Sequence, residues 1–551
     1  MIRPYKIVSS LYFFSLALVV ISLPLSKYFM SVSQFCLGGV FIIEGIRWKK
    51  VLEFYSKKNT FKKFLVFIPF HFKLIVNSIV FQFKKFSQNK LAMIFCSIYL
   101  IYLIGLLYTD DYSHAITIIR TSLPLFVFPV VLSTLKPLSE NRTRQILLLF
   151  VLSVFVGTLI SIYFFLFKTY DNIREISPFI CHIRFATLVN IAIFIIYYFL
   201  FFQDKKFPQI VKSFAFILLL WLISYLFILK SITGIVIFFI LLILSSILYI
   251  RREKTGKYNF FLLTFIIPLF VLFYLIFCVI KFYDVEKIDF QNLDKRTANS
   301  NLYYNKYKNK TLENGHYVYV YICEKELKQE WNKISSYKYS GVDKKGQKIK
   351  YTLIRYLTSK GYRKDAEGVK KLTKQDVELI ENGYSNYIFK NKYGLYPRIY
   401  QLIWQMDVYF KTGDPSGFSF AQRLESIKMG LGIIKENFFF GVGTGDLYNA
   451  YQRQYNITKS KLKRENRITG ANQFLNFFVS FGLIGFLIIM FAMIYPAYKN
   501  KSFNDYLFLM FFIIAIISMF GEDTLKFQSG VTYFAFFYSF FVFAQKKNYR
   551  L

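Results

Sequence analysis

What most constrains this chain is a succession of apolar runs, several of about 18 to 25 residues, each long enough to cross roughly 30 Å of hydrocarbon as a helix. They fall near 7–24, 28–46, 91–108, 116–134, 145–167, 183–203, 210–229, 233–250 and 259–281, and again, after a long polar stretch, near 471–495, 504–521 and 529–545. Of 551 residues, 55% are hydrophobic and 21% aromatic, which is not the composition of ordinary soluble domains. The expected architecture is an all-α polytopic membrane protein with about twelve transmembrane helices. Met1 to Lys6 leads into the first run without a small-residue cleavage site, so that run reads as a retained span.

One further segment, 64–82, is apolar but carries His71 and Lys73 at its centre and Pro69 nearby. Charge placement arbitrates. With twelve spans and both termini cytoplasmic, the inside loops hold Arg47 to Lys50, Lys136 with Arg142 and Arg144, Lys205 with Lys206, Arg251 to Lys257, Lys499 with Lys501, and Lys546 to Arg550. The outside loop Thr109 to Ala115 has no Lys or Arg, and Lys168 and Arg174 are offset by Asp171 and Glu175. Counting 64–82 as a span would invert every later loop against the positive-inside rule. It therefore reads as an amphipathic or re-entrant cytoplasmic segment. Much of the net charge of +38 is then topological, and a nucleic-acid partner is not implied.

The same parity divides the chain into a nine-helix region, 1–281, a large outer loop, 282–470, and a three-helix region, 471–551. Loops of that length usually carry function. Helix-like pieces within it lie near 324–335, 351–360 and 374–382, the last opening on a Thr373 to Asp376 cap pattern. The five cysteines, Cys36, Cys96, Cys181, Cys278 and Cys323, have no C-x-x-C spacing, and the four histidines, His71, His114, His182 and His316, are scattered. Neither a metal centre nor any other cofactor is expected.

Several polar residues at span edges map to the outer face: Arg120, His182, Arg184, Lys230, Glu522 and Lys526, with Arg423 and Asn472 where the large loop returns to the membrane. Arg and Lys at span ends commonly snorkel to headgroups. Cations on the outer side nevertheless oppose the usual bias, so their gathering there points to an anionic ligand. Gly441 to Asp446, GVGTGD, resembles a phosphate loop only superficially, since it lacks the Lys-Ser/Thr ending and a preceding strand. It follows a helical stretch, 419–437, and reads either as a flexible C-terminal turn or as a close-approach loop at the mouth of a site.

These segments resemble the O-antigen ligase family, in particular its long-looped Bacteroidetes-type branch, which has a sister group in the O-antigen polymerases. The resemblance covers most of the chain. It rests on ISPFICHIRFATL around His182 and Arg184, KSITG at Lys230 to Gly234, the loop pieces ENGHYVYVYI and RYLTSKGYRKDAEGV, GFSFAQRLESIKMGLGIIKENFFFGVGTGD, ANQFLNFFVSFGLIGF and GEDTLKFQSGVTYFAFF. No single motif is specific; their order and spacing relative to the spans carry the likeness.

The resemblance implies a membrane glycosyltransferase of the bacterial inner membrane, acting on the periplasmic face in lipopolysaccharide biosynthesis. Its donor would be a glycan on undecaprenyl pyrophosphate and its acceptor lipid A-core. A pyrophosphate leaving group needs charge neutralisation more than a general acid, and Arg is a permanent forked donor to phosphate oxygens. Arg184 and Arg423 are the first candidates for that role, with Arg120 and Lys230 supporting and Asn472 beside them. In the family the residue before the Asn-Gln pair is typically a His proposed as the base, whereas this chain has Ala471 before Asn472 and Gln473. His182, Glu522 or Asp446 would have to substitute, or the enzyme would act through positioning and electrostatics alone. Other readings are an O-antigen polymerase, a protein-glycosylating oligosaccharyltransferase, a lipid-linked oligosaccharide transporter and a non-catalytic glycan-binding scaffold.

Overall fold

The computed structural model describes residues 2–48, 51, 54, 60–167, 176–203, 208–252, 258–306, 311–391, 394–416 and 419–545. The basic pair Lys205 and Lys206, the tail Lys546 to Arg550 and the loop charges Lys168, Asp171, Arg174 and Glu175 lie outside them. The apolar runs form helices: α1 (Ile2–Leu25), α2 (Lys27–Gly45), α3 (Thr60–Ser87), α4 (Lys90–Ile104), α5 (Tyr112–Ser122), α6 (Pro124–Thr134), α7 (Glu140–Phe167), α8 (His182–Tyr197), α9 (Gln209–Ile228), α10 (Ile232–Arg252) and α11 (Tyr258–Tyr283). Short loop helices follow, α12 (Glu324–Ile334), α13 (Ile349–Ser359), α14 (Ala366–Lys370), α15 (Lys374–Glu381) and α16 (Tyr396–Thr412). The chain then forms α17 (Ser419–Glu436), α18 (Leu447–Ile457), α19 (Gln473–Lys499), α20 (Tyr506–Gly521) and α21 (Gln528–Ser539), the last running into a π-helical turn, Phe540–Ala544.

Among the described residues, nine helical segments are long and apolar enough to cross a membrane: Lys6–Leu25, Lys27–Gly45, Lys90–Tyr108, Tyr112–Thr134, Glu140–Phe167, His182–Phe202, Gln209–Ile228, Ile232–Arg252 and Gln473–Lys499. Pro268–Tyr283 and Tyr506–Gly521 are apolar but shorter. The protein is thus an all-helical, multi-pass membrane protein by the length and composition of its helices. Its contacts divide it into two compact units, Met1–Thr264 with Gln422–Leu551, and Phe265–Ala421. Residues 422–470, assigned to the outer loop from the sequence, group with the first unit.

Within the first unit α8 is the central element, with every residue from Phe185 to Tyr197 buried. α7, α9, α10 and α20 all pack against it. Segment 64–82 is part of the single helix α3, which is not among the nine. Leu74, Ser78, Gln82 and Phe86, four residues apart, form its buried stripe, while Phe72, Val76, Val80 and Phe83 are exposed, the pattern of a helix packed on one side only. The polar members of the packed side have a use. Ser78 Oγ donates to the Ile42 carbonyl, Gln82 Nε2 to the Phe41 carbonyl at 3.1 Å, and Lys85 Nζ to the Thr134 carbonyl. Ile42 and Thr134 lie in the last turns of α2 and α6, where helix carbonyls lack partners within the helix.

α19 is broken at Gly482, whose φ of 62° and ψ of −169° are not helical. The loop Phe438–Gly443 fills the break. Val442 and Gly443 donate their N–H groups to the carbonyls of Val479 and Ser480, each at 2.9 Å, while Leu483 and Ile484 donate to Phe438 and Phe439 at 2.8 and 3.3 Å. Four backbone groups stranded by the break are thus paired, as the membrane interior demands. Thr444 continues the seam to α4, its N–H donating to the Gly105 carbonyl and its Oγ1 to the Tyr102 carbonyl. Of the two readings of GVGTGD, the close approach is realised, but to the backbone of α19.

The second unit has its own core, in which Trp331 of α12, Leu353 and Leu357 of α13 and Ile380 of α15 are fully buried. Thr373 and Asp376 form the reciprocal capping box at the start of α15. Glu313 is wholly buried and paired with Arg355 at 2.6 Å, with Asn386 Nδ2 donating to its second oxygen at 2.8 Å. The Arg355 guanidinium lies over the Trp404 ring at 4.2 Å. Lys364, 4% exposed, donates to the Tyr317 carbonyl. Burial lowers its ammonium to about 7, against the opposing pull of Glu286 and Asp365. The unfolded chain binds a proton at Lys364 up to its ordinary pKa of 10.5. Between about pH 7 and 10 the unfolded state therefore holds more protons and stability rises with pH. Lys364→Met should remove a slope of up to about 1.4 kcal/mol per pH unit, read by hydrogen exchange of the α13 amides from pH 7 to 10. An unchanged slope would refute the assignment.

Candidate functional site

A Glu-Asp pair in an otherwise apolar stretch forms the centre of the site. Glu522 ends α20 and Asp523 begins the turn into α21. Arg184 reaches this turn from the head of α8, with its guanidinium over the Phe527 ring at 4.1 Å. Arg423, on the first turns of α17, acts on Glu522 together with Arg184. Two candidate arginines 239 positions apart (423 − 184) in the sequence thus act on one carboxylate.

Arg184 and Glu522 each keep an unpaired buried atom. Arg184 Nε and Glu522 Oε2 are both buried and, among the described residues, have no hydrogen-bond partner, a costly state for charged groups. Burial raises the Glu522 carboxyl above its usual range, while Arg184 and then Arg423 pull it back. Asp523 still meets some solvent, yet burial pushes it up to about 6 against Lys526, Asn476 and Arg184. Tyr102 of α4 and Tyr451 of α18 also feel the Asp523 charge. Behind Arg184, a cavity of about 10 Å³ bordered by Leu23, Thr187, Ser518 and Tyr533 has room for about one water.

The other expected site residues take several positions. Asn472 caps α19: its Oδ1 accepts from the Phe474 and Leu475 N–H groups at 2.9 and 3.1 Å, and its Nδ2 donates to the Phe520 carbonyl at 3.3 Å. It thereby fixes the approach to the Glu522 turn. Ala471 immediately precedes this cap. Gln473 Oε1 accepts from the Leu525 N–H at 2.6 Å, and Lys526 Nζ donates to Thr469 Oγ1 at 2.9 Å, which brace the same turn from α19 and the segment just before it. His182 opens α8 two residues before Arg184, its Nδ1 3.6 Å from Cys181 Sγ. Arg120 is exposed near the end of α5, and Lys230 holds a left-handed conformation, φ 50°, between α9 and α10.

Asp446 does different work. Its carboxylate accepts from Thr109 Oγ1 at 2.7 Å and from the Asp110 and Asp111 N–H groups at 2.7 and 3.0 Å. That full set of donors makes it a clamp on the α4–α5 connection and leaves it poorly placed to act as a base. Asp446→Ala should lower thermal stability by about 2–3 kcal/mol, measured by unfolding in detergent, with no separate change at the Glu522 turn. Asp523 and Asn476 were not expected from the sequence; the signal was the adjacent acid pair between two apolar runs. Among the described residues, no three His, Cys, Asp or Glu side chains gather where they could hold a metal ion. The chain matches no protein-family model and no curated protein.

Proposed function

We propose that this protein is a membrane glycosyltransferase that moves a glycan from undecaprenyl pyrophosphate to a hydroxyl of lipid A-core or a similar acceptor. In this reading about twelve helices cross the bacterial inner membrane, both termini are cytoplasmic, and the Glu522 turn and the 265–421 unit lie on the periplasmic side. The observation that carries the proposal is that two buried charged groups at one turn, Arg184 Nε and Glu522 Oε2, each lack a hydrogen-bond partner among the described residues, with Arg423 as a second cation. An incoming pyrophosphate would supply the acceptor oxygens that Arg184 lacks, and charge-assisted bonds to both guanidinium groups would stabilise the negative charge that grows as it departs.

The chemistry balances without another reactant. The acceptor oxygen attacks the anomeric carbon, the bond from that carbon to the pyrophosphate oxygen breaks with its electron pair leaving on phosphate, and the configuration inverts. The hydroxyl proton goes to Glu522, whose raised carboxyl pKa makes it a better base near neutrality than an ordinary glutamate. Ala471 cannot accept that proton. The break in α19 weighs against a transporter, because the four backbone groups that broken transporter helices offer to a substrate are bound here by Phe438–Gly443.

The test is reconstitution of the purified full chain with radiolabelled undecaprenyl-pyrophosphate glycan and lipid A-core. Label on lipid A-core supports this reading, and elongated lipid-linked glycan makes the protein a polymerase. Glycan crossing the bilayer with no new linkage would overturn both.

A further inference from the structure

A second polar cavity opens at the opposite end of α1. Leu23 borders the small space behind Arg184, whereas Val8, Ser9 and Tyr12 border the second, about 16 to 22 Å away along the helix at 1.5 Å per residue. It measures about 220 Å³, and its charged lining is Glu44 of α2, Lys136 of the α6–α7 connection and Arg142 of α7. The volume is below the roughly 300 Å³ at which drug-sized sites begin, so a nucleotide sugar is too large and a headgroup is not.

The lining is held in place and incompletely used. Arg142 Nη1 donates to the Ser9 carbonyl at 2.8 Å and to Ser9 Oγ, which fixes the guanidinium while a planar fork retains further donors. The Leu138 N–H donates to the Ala544 carbonyl at 2.7 Å, so the connection bearing Lys136 is tied to the end of the last helix. Tyr12 is only 4% exposed, and its hydroxyl has no partner among the described residues. Lys85 and Lys136 both act on Glu44, and of the two only Lys136 borders the cavity. The cavity therefore offers two cations, one carboxylate and an unpaired buried hydroxyl.

We propose that this cavity binds a phosphoethanolamine headgroup, with the phosphate on Lys136 and Arg142, the ammonium on Glu44, and Tyr12 donating to a phosphate oxygen. One negative and one positive ligand charge match the two cations and single carboxylate better than a purely anionic headgroup, which Glu44 would repel. The ligand's source is either a phospholipid or a soluble ester of the same chemistry. This inference does not depend on the glycosyltransferase reading.

The test is thermal unfolding of the full chain in detergent micelles, titrated with dihexanoyl phosphatidylethanolamine, phosphatidylcholine or phosphatidylglycerol, and with soluble phosphoethanolamine. A saturable stabilisation is expected, about tenfold tighter for the ethanolamine lipid than for the choline lipid, whose quaternary ammonium has no N–H to donate. Equal affinity for soluble phosphoethanolamine would keep the site and assign its ligand to the soluble ester. Lys136→Gln, at an exposed position, should weaken binding about tenfold, and Glu44→Gln should abolish the preference over phosphatidylglycerol while leaving binding intact. Arg142→Lys checks the second cation without removing its charge. No saturable stabilisation, or affinities unmoved by headgroup and by Lys136→Gln and Glu44→Gln, would overturn the proposal and leave a water-filled cavity.

Discussion

Glu522→Gln should lower the turnover of glycan transfer by about 100- to 10,000-fold, the range that general-base assistance supplies. The amide cannot take the acceptor proton, yet it nearly preserves the side-chain shape. It also removes the negative charge facing Arg184 and Arg423, so donor binding should strengthen while turnover falls. That opposed split separates a base from a residue that merely supports the fold, whose loss would lower the amount of active protein without tightening donor binding. Arg184→Gln and Arg423→Gln should behave differently, each losing a donor to the departing pyrophosphate and about 100-fold in turnover. The sign of the pH dependence follows from the raised carboxyl: the base works only when deprotonated, so activity should rise with pH through a limb above the ordinary glutamate range. Glu522→Gln should abolish that limb in its residual activity. Unchanged turnover in this variant would remove Glu522 from the chemistry.

Gly482→Ala should be among the most damaging single substitutions in the membrane unit. The backbone there, φ 62° and ψ −169°, lies in a region that only glycine occupies comfortably. An added Cβ would sit 2.3 Å from both the carbonyl carbon and the oxygen of Phe439. Neither is the end of a flexible side chain, so the seam itself must open. The reciprocal position behaves alike: at Gly441, φ 72°, a Cβ would lie 2.4 Å from the Ser480 carbonyl carbon. Backbone strain and lost pairing together should cost about 4 kcal/mol or more, seen as loss of monodisperse protein on size-exclusion in detergent. Gly38→Ala is the matched control, since nothing lies within 4 Å of a Cβ there. It should be neutral or stabilising by up to about 1 kcal/mol, since Ala suits a helix interior better than Gly, and equal behaviour of the two variants would refute the argument.

The elements that could be read along one segment were legible. Length and apolarity alone located α1, α2, α7, α8, α9 and α10 to within a few residues, and the Thr373 pattern marked the start of α15. Central charges set 64–82 apart from an ordinary span, and the structure gives the stretch from Leu74 to Phe86 one packed stripe. What the sequence left open was pairing at a distance. Arg184, Arg423 and Glu522 could each be placed at a membrane edge, but no periodicity tells which carboxylate meets which guanidinium. Asp446 shows the same difficulty from the other side, because an acid after a glycine loop looks available until its three donors from Thr109 to Asp111 are seen. The glycines of GVGTGD announced a close approach. They could not name α19 as its object, because a bond between backbones leaves no side-chain signature on either strand of sequence.

The break in α19 also bears on how the molecule is made. A helix with four unpaired backbone groups enters a bilayer at a cost of several kcal/mol per group, yet every partner of those groups, Phe438, Phe439, Val442 and Gly443, precedes α19 in the chain. So do Tyr102 and Gly105, which anchor Thr444. During synthesis from the N-terminus, the seam can close as soon as Ile484 emerges, before α20 and α21 exist. A circular permutation that delivered α19 ahead of residues 438–444 would reverse that order and leave the broken helix exposed to lipid until its partners arrived.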